Sequence, residues 1–385
     1  MVDLILFEKM FSGNRDAASH PQHSMDERLQ AALQWLIRAS QAVDGKGISK
    51  GYDLLRSRWF PPYPETTGYT IPTLINAARF LGQEEWREFG YRQAEFLLGQ
   101  INADGGVYYW DQRSDKQPLP VVFDTGQVLF GWLATYRDGG GDRFLQAAAR
   151  SGDWLAQCQE PEGMWKKFQH LGVSKVIDAR VAWAMLELYR LTGETSHRAA
   201  AVRHLDWVLT QQHMDGWFDN CGFTPQADPY THTIAYTAEG LYRSGELLSD
   251  ERYLAAGKKA ADQLLHLQRP DGSLASTYAS GWHASDQTSC LTGNVQMSDL
   301  WLALALRYQQ PEYKTASERA LEYVSHLQDL ETDNLNVRGG ISGSFPIYGN
   351  YERFKYPEWA AKFFISAILW HKAAQSGRLD EILPG

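Results

Sequence analysis

Apolar positions along this chain follow two alternating helical patterns. In Asp142-Arg-Phe-Leu-Gln-Ala-Ala-Ala-Arg-Ser-Gly-Asp-Trp-Leu-Ala-Gln, apolar residues recur at three- and four-residue steps, which predicts a helix buried along one side. In Val128-Leu-Phe-Gly-Trp-Leu-Ala and Val181-Ala-Trp-Ala-Met-Leu-Glu-Leu they cover most of the circumference, which predicts a helix enclosed by others. Helices of the enclosed kind open six times on a polar or acidic residue: Glu65-Thr-Thr-Gly-Tyr, Asp124-Thr-Gly-Gln, Asp178-Ala-Arg-Val, Thr231-His-Thr-Ile, Gly293-Asn-Val-Gln and Glu358-Trp-Ala-Ala. The stretch before each of the last five ends in Gln, and in four of them an acidic residue and Gly follow, as in Gln159-Glu-Pro-Glu-Gly and Gln268-Arg-Pro-Asp-Gly. With Glu65, Asp124, Asp178, His232, Asn294 and Glu358 as markers, the intervals are 59, 54, 54, 62 and 64 residues. Each interval suits a helical hairpin plus one long loop, and six hairpins close into a ring.

The pattern runs from about Met25 to about Ala374 without a linker. Residues 1–24 therefore read as an N-terminal tail and 25–385 as one all-α domain, an (α/α)6 toroid or six-hairpin barrel. Turns from enclosed to amphipathic helix are short, such as Leu191-Thr-Gly-Glu-Thr, whereas the return connections span 19 to 30 residues. Long loops on a compact scaffold carry binding or catalysis more often than short ones. These deliver the chain to the enclosed helices, so one mouth of the ring should hold the site.

Composition narrows the function. With 44% hydrophobic and 13% aromatic residues, including 14 Trp and 19 Tyr, a large core forms and aromatics remain for a binding surface. A net charge of −9 gives no global attraction for nucleic acid or an anionic membrane. Cys158, Cys221 and Cys290 lack ligand spacing, so neither a structural metal nor an organic cofactor is expected. Met1 to Phe11 lack the basic start and unbroken apolar stretch of a secretory signal, and no stretch is long enough to span a bilayer. The expectation is a cytoplasmic protein.

The mouth should present Glu65, Asp124, Asp178, Arg180, His232, Asn294, Gln296, Glu358 and Lys362, joined by loop residues His170, Trp217, Trp282 and His283. Carboxylates on neighbouring helices suit general acid and base roles across a glycosidic bond or enol ether. Asp124 and Asp178 also suit helix capping, and Asp124-Thr-Gly-Gln127 reads as a capping box. Thr231 is the better cap beside His232, and Asn294 and Gln296 suit either capping or hydrogen bonding to a ligand. Trp110, Trp165 and Trp217 follow the repeated Gly at similar places and read as packing residues. Trp282, outside that register, is the expected stacking platform for a sugar ring. Arg180, Lys362 or a basic loop, either Lys166-Lys167 with His170 and Lys175 or Arg338, Arg353 and Lys355, would hold a carboxylate.

Phe123-Asp124-Thr125-Gly126-Gln127 and Ile177-Asp178-Ala179 resemble segments that open two inner helices in the six-hairpin glycosidases. Nearest in plan are the unsaturated glucuronyl and rhamnogalacturonyl hydrolases. In that family a His-Asp-x-Gly-Phe-like segment and an Asp-Asn segment stand there; here Phe123 replaces the His and Ala179 the Asn. The resemblance implies an inner-helix Asp that protonates the double bond left by polysaccharide lyases. Asp178 would be the principal acid, Asp124 its partner and His232 a sugar contact or second proton relay, acting on an acidic poly- or oligosaccharide. Other toroids remain open: lyases with a His or Tyr base, for which His232, Asn294, His170 and Tyr236 qualify; epimerases with paired histidines; and terpene cyclases, whose signature the Gln-x-x-x-Gly-x-Trp segments resemble although Asp-x-Asp-Asp is missing. A toroid that only binds a glycan is the non-enzymatic alternative.

Overall fold

The computed structural model describes residues 23–109 and 119–385. Most of the tail assigned to residues 1–24, and Trp110, lie outside them. Six outer helices, α1 (Met25–Gln41), α3 (Glu84–Leu98), α5 (Asp142–Gln157), α7 (Thr195–Thr210), α9 (Glu251–Leu267) and α11 (Pro311–Leu327), alternate along the chain with six inner ones. These are α2 (Pro64–Leu81), α4 (Val122–Arg137), α6 (Ala179–Thr192), α8 (Thr231–Leu248), α10 (Leu291–Tyr308) and α12 (Glu358–Ser376). Each inner helix packs on the next, and α12 packs back on α2. The chain is an all-α (α/α)6 toroid. Five outer helices pair with the inner helix before them, while α1 pairs with α12, so the sixth hairpin is assembled from the two ends of the described chain.

The two apolar patterns map onto the two rings. In α4 every residue from Val122 to Thr135 is buried. In α5 only Phe144, Ala147, Ala148, Ser151, Gly152, Trp154 and Leu155 are, the single face that three- and four-residue spacing provides. None of the described helices is long and apolar enough to cross a membrane.

The Gln and Gly of the repeat are structural staples. Gln268 Nε2 donates to Gly272 O at 3.1 Å and to Ala316 O of α11 at 2.9 Å. Gln212 bridges Gly216 and Ala256 in the same way, and Gln159 bridges Gly163 and Ala200. Gly272 has φ +90°, and a Cβ there would sit 2.3 Å from Arg319 O, so the loop passes too close to the next outer helix for a side chain. Each loop is thereby bonded to the neighbouring hairpin. Replacing Gln268 by Ala removes both donations, leaves the Gly272 carbonyl without this donor and unties the loop from α11, and should cost about 1–2 kcal/mol. Urea unfolding checks this, and an unchanged midpoint would show that the staple is dispensable.

Short strands decorate the mouth. β1 (Gly51–Asp53) pairs antiparallel with β2 (Arg58–Trp59) and with β7 (Lys355–Pro357), in the register Gly51↔Pro357 and Tyr52↔Tyr356. This ties the loop before α2 to the loop before α12 and closes the ring at its upper edge. Two further pairs, β3 (Thr277–Ala279) with β4 (His283–Asp286) and β5 (Ser289–Cys290) with β6 (Ser344–Phe345), are built from the later loops.

Candidate active site

The inner-helix starts divide the mouth into an acidic arc and an uncharged one. Around the ring, α12, α2, α4 and α6 are consecutive neighbours, and each carries a buried carboxyl group at its head: Glu358, Glu65, Asp124 and Asp178. The heads of α8 and α10 carry His232, Asn294 and Gln296 instead.

Asp124 is no cap. It is the third residue of α4, the N-cap position falls on Val121, and no side-chain capping bond forms. Both of its oxygens are fully buried without a hydrogen-bond donor among the described residues, and His170 Nε2 lies 3.7 Å from Oδ1. Gln127, the other half of the expected box, instead accepts from Arg180 Nε at 3.0 Å. Asp178 holds the N-cap position of α6 but also makes no capping bond. Its Oδ2 accepts from Gln169 Nε2 at 2.5 Å, while Oδ1 has no partner among the described residues. Burial pushes the Asp178 carboxyl up to about 8, against the opposing pull of Lys175, Gln169 and His170.

Gln169 and His170 are adjacent in the loop before α6, so one dipeptide touches both aspartates. This brings Asp124 and Asp178 to the same wall. Burial lowers the pKa of His170, but Asp124 and then Glu65 outweigh it and the net shift is upward. The Asp124 carboxylate therefore favours the charged imidazole over the neutral one.

Glu65 accepts from the Tyr63 hydroxyl, and burial together with the Asp124 charge raises its pKa. Glu358 Oε1 accepts from Thr70 Oγ1 at 2.5 Å, its Oε2 is unpartnered among the described residues, and burial pushes it up to about 8. Lys50 lies over the rings of Tyr63 and Trp359, at 5.2 and 5.8 Å. The arc is thus rich in carboxyl groups that keep their protons near neutral pH.

On the uncharged arc, His232 Nδ1 meets Gln296 Oε1 at 2.7 Å, which assigns the proton to Nδ1 and leaves Nε2 as an acceptor. Burial lowers its pKa to about 3, so the ring stays neutral. The adjacent Thr231 does not cap α8: its hydroxyl donates to Ala275 O at 2.5 Å, and Tyr230 holds the N-cap position. Asn294 is not available to a ligand either. Its Oδ1 accepts from Leu274 N at 3.0 Å and its Nδ2 donates to Ser289 Oγ and Cys290 O, both at 2.8 Å.

Arg180 and Lys362 lie deeper than the sequence suggested, and both have internal partners. Arg180 Nη1 donates to Glu239 Oε2 at 2.6 Å. Its guanidinium sits among the rings of Tyr69, Phe130, Trp183, Tyr236 and Phe363, at 4.9 to 6.0 Å. Lys362 Nζ donates to Gly385 O at 2.8 Å, and burial with the Arg180 charge lowers its pKa. A ready carboxylate clamp is therefore absent from these two residues, because a fully buried arginine paired with glutamate is part of the core.

Trp282 also departs from expectation. It is 7% exposed, its indole N–H donates to Asp215 O at 3.0 Å, and it tilts against Tyr278, so no open face is offered for stacking. Trp217 is half-buried with its N–H on Tyr278 O, and His283 is exposed on the β3–β4 hairpin. Trp165 is fully buried on His204, a packing role as expected. Gln169, Tyr63, Lys50 and Glu239 were not singled out from sequence. Adjacency to His170 was the available signal for Gln169. Lys50 and Tyr63 lie in the loop before α2, the connection not bracketed by the repeat markers.

The unpartnered oxygens of Asp124, Asp178 and Glu358, with Gln127 Nε2, Arg180 Nη2 and Gln296 Nε2, make a set of buried polar atoms that points to a hydrated or ligand-accepting site. Among solved structures, the chain is similar to unsaturated glucuronyl hydrolase from Bacillus sp. GL1, with a TM-score of 0.73, 15% identity, and coverage of 91% of this chain and 97% of that one. It is also similar to cellobiose 2-epimerase from Bacillus thermoamylovorans B4167, with a TM-score of 0.71, 14% identity, and coverage of 89% and 97%. Unsaturated glucuronyl hydrolase from Streptococcus agalactiae aligns with a TM-score of 0.67, 13% identity, and coverage of 94% of both chains. These likenesses show the toroid. No known family profile matches the chain. A 113-residue stretch, 29% of this chain, is 31% identical to ent-copalyl diphosphate synthase of Streptomyces sp. (strain KO-3988), and it covers 20% of that curated relative's length.

Proposed function

We propose that the protein is a carbohydrate-processing enzyme that hydrates the C4–C5 double bond of an unsaturated uronyl residue in an oligosaccharide, releasing the attached sugar. The observation that carries this reading is the aspartate pair on successive residues Gln169 and His170, in which Asp178 keeps its proton to about pH 8. An enol ether needs a proton on carbon, and a buried neutral carboxyl group supplies it. Asp178 donates to C4, water adds at C5, and the Asp124–His170 pair takes up the proton of that water. The resulting C5 hemiketal opens by breaking C5–O5, which leaves a ketone at C5 and a hemiacetal at C1, and breakdown of that hemiacetal to an aldehyde frees the neighbouring sugar with the hemiacetal proton. The solved neighbours include unsaturated glucuronyl hydrolase crystals described with dGlcA-Glc-Rha-Glc and with dGlcA-GalNAc6S, ligands of the class this chemistry requires.

A second reading has one observation in its favour. His232 stays neutral with Nε2 left as an acceptor, as the base of a polysaccharide lyase would be. Ultraviolet absorbance of the double bond separates the two. Falling absorbance on lyase-generated oligosaccharides is the expected result, rising absorbance on an intact uronate polymer would establish the lyase, and no change on either would overturn both. The terpene-cyclase alternative keeps one sequence observation, the 113-residue stretch 31% identical to ent-copalyl diphosphate synthase, while the Gln and Gly of the repeat serve the scaffold here.

A further inference from the structure

Beyond α12 the chain turns back into the ring. Gly377 adopts a left-handed conformation at φ +70° and a 3-10 turn spans Leu379–Glu381. Arg79 Nη1, near the end of α2, donates to Glu381 O at 3.0 Å. One turn higher, the Asn76 side chain grips the backbone of Leu383 from both sides: Nδ2 donates to Leu383 O at 3.0 Å, and Leu383 N donates to Oδ1 at 2.9 Å. Higher still, a Cβ on Gly385 would lie 2.2 Å from Pro72 Cγ and 3.6 Å from Phe130 Cβ. At that level Gly385 O accepts from Lys362 Nζ. The path from Arg79 through Asn76 to Pro72 climbs α2 from its C-terminal end, so the segment enters the ring opposite the mouth. It ends beside Phe130 and Lys362, which also border the Arg180 cluster.

We propose that residues Leu379–Gly385 are an intrinsic plug, which closes the ring at the end opposite the mouth and occupies Lys362. The polar contacts that tie the segment to the inner helices, from Arg79, Asn76 and Lys362, all reach its backbone, which holds a peptide at a fixed depth whatever its side chains. Asn76 and Lys362 are buried polar side chains on two different inner helices, and the segment supplies a bonding partner to each. The site above the plug then accepts a ligand of limited depth. The inference stands apart from the reaction chemistry, and its test needs no substrate.

The test is native-state modification of Lys362 by trinitrobenzenesulfonate, mapped by mass spectrometry. It is run on the full chain, on a chain lacking Leu379–Gly385 and on Asn76→Ala, with Lys175, another buried and bonded lysine, as the internal control. Lys362 should be protected in the full chain and label roughly tenfold faster in both altered proteins, because closure there is a local equilibrium. Lys175 should stay protected. The synthetic heptapeptide of residues 379–385, added to the shortened chain, should restore protection in a saturable way. If the shortened chain loses its helical circular dichroism, Asn76→Ala decides. Labelling that does not rise, that rises equally at Lys175, or that the peptide fails to reverse in a folded shortened chain would overturn the proposal.

Discussion

Replacing Asp178 by Asn is expected to lower kcat by about 10³-fold or more, while the protein becomes more stable at neutral and alkaline pH. The first part follows from removing the acidic proton, since positioned general acids contribute roughly 10²–10⁴-fold and here no other donor is aligned by Gln169. The second part follows from linkage. The carboxyl pKa is about 8 in the folded protein against a reference of 3.8, so the folded state binds the proton more tightly than the unfolded state. That stabilisation is fully present below about pH 4 and is lost as pH rises through about 8. Asparagine has no proton to lose, and its amide oxygen still accepts from Gln169 Nε2. The stability of the variant relative to the natural chain should therefore grow between pH 4 and pH 8 and then level off, reaching about 1–3 kcal/mol once relaxation of the site is allowed for. Steady-state turnover and thermal unfolding at several pH values check both parts. Retained turnover would remove Asp178 from the chemistry, and a lower midpoint at neutral pH would make it a structural residue. In the natural chain, kcat/KM should fall as pH rises through about 8.

The toroid was legible because its physics is local and repeated. Each hairpin writes the same message: an amphipathic outer face, an inner helix apolar all round, and a loop anchored by Gln and Gly. Six copies average out the noise in any one. Pairing of α1 with α12 was less visible, since it joins segments more than 300 residues apart and has no short-range signature. The meaning of the Gln/Gly signature was also hidden, because its partners, such as Ala316 O for Gln268, are backbone atoms of the next outer helix, and any residue type supplies a carbonyl.

The site was legible by position and less so by role. Helix heads at one end of a ring must converge, so Asp124, Asp178, Glu65, Glu358 and His232 fell on the mouth as expected. Whether each head caps its helix depends on one side-chain torsion, and there the pattern misled. Thr231 and Gln127 have capping chemistry yet bond elsewhere, and Asp124 has no donor at all among the described residues. Arg180 and Lys362 failed differently. On an inner helix a residue two to four positions past the head points down the bore, and depth is not encoded in sequence spacing alone. Their partners Glu239 and Gly385 lie 59 and 23 residues away. The burial of Trp282 rests on a contact with Asp215, 67 residues earlier in the chain.

Arg180→Ala should be among the most destabilising single changes in the inner ring, at about 3–5 kcal/mol, because it strands the Glu239 carboxylate without its cation. The guanidinium is fully buried, bonded to Gln127 and Glu239, and faced by five aromatic rings, so its loss also opens a cavity whose lining has no replacement contacts. Lysine is not expected to rescue it, since an ammonium has no planar fork to meet Gln127 and Glu239 together. Adding Glu239→Gln to Arg180→Ala should recover part of the loss by removing the stranded charge, so the double variant should be more stable than the sum of the singles requires. Calorimetry on the four proteins measures this coupling. The ligand-clamp role assigned to Arg180 from sequence makes the opposite forecast, an unchanged midpoint with weakened oligosaccharide binding. That outcome would return Arg180 to the substrate, whereas a large coupled loss of stability places it in the framework that holds the carboxyl-lined mouth open.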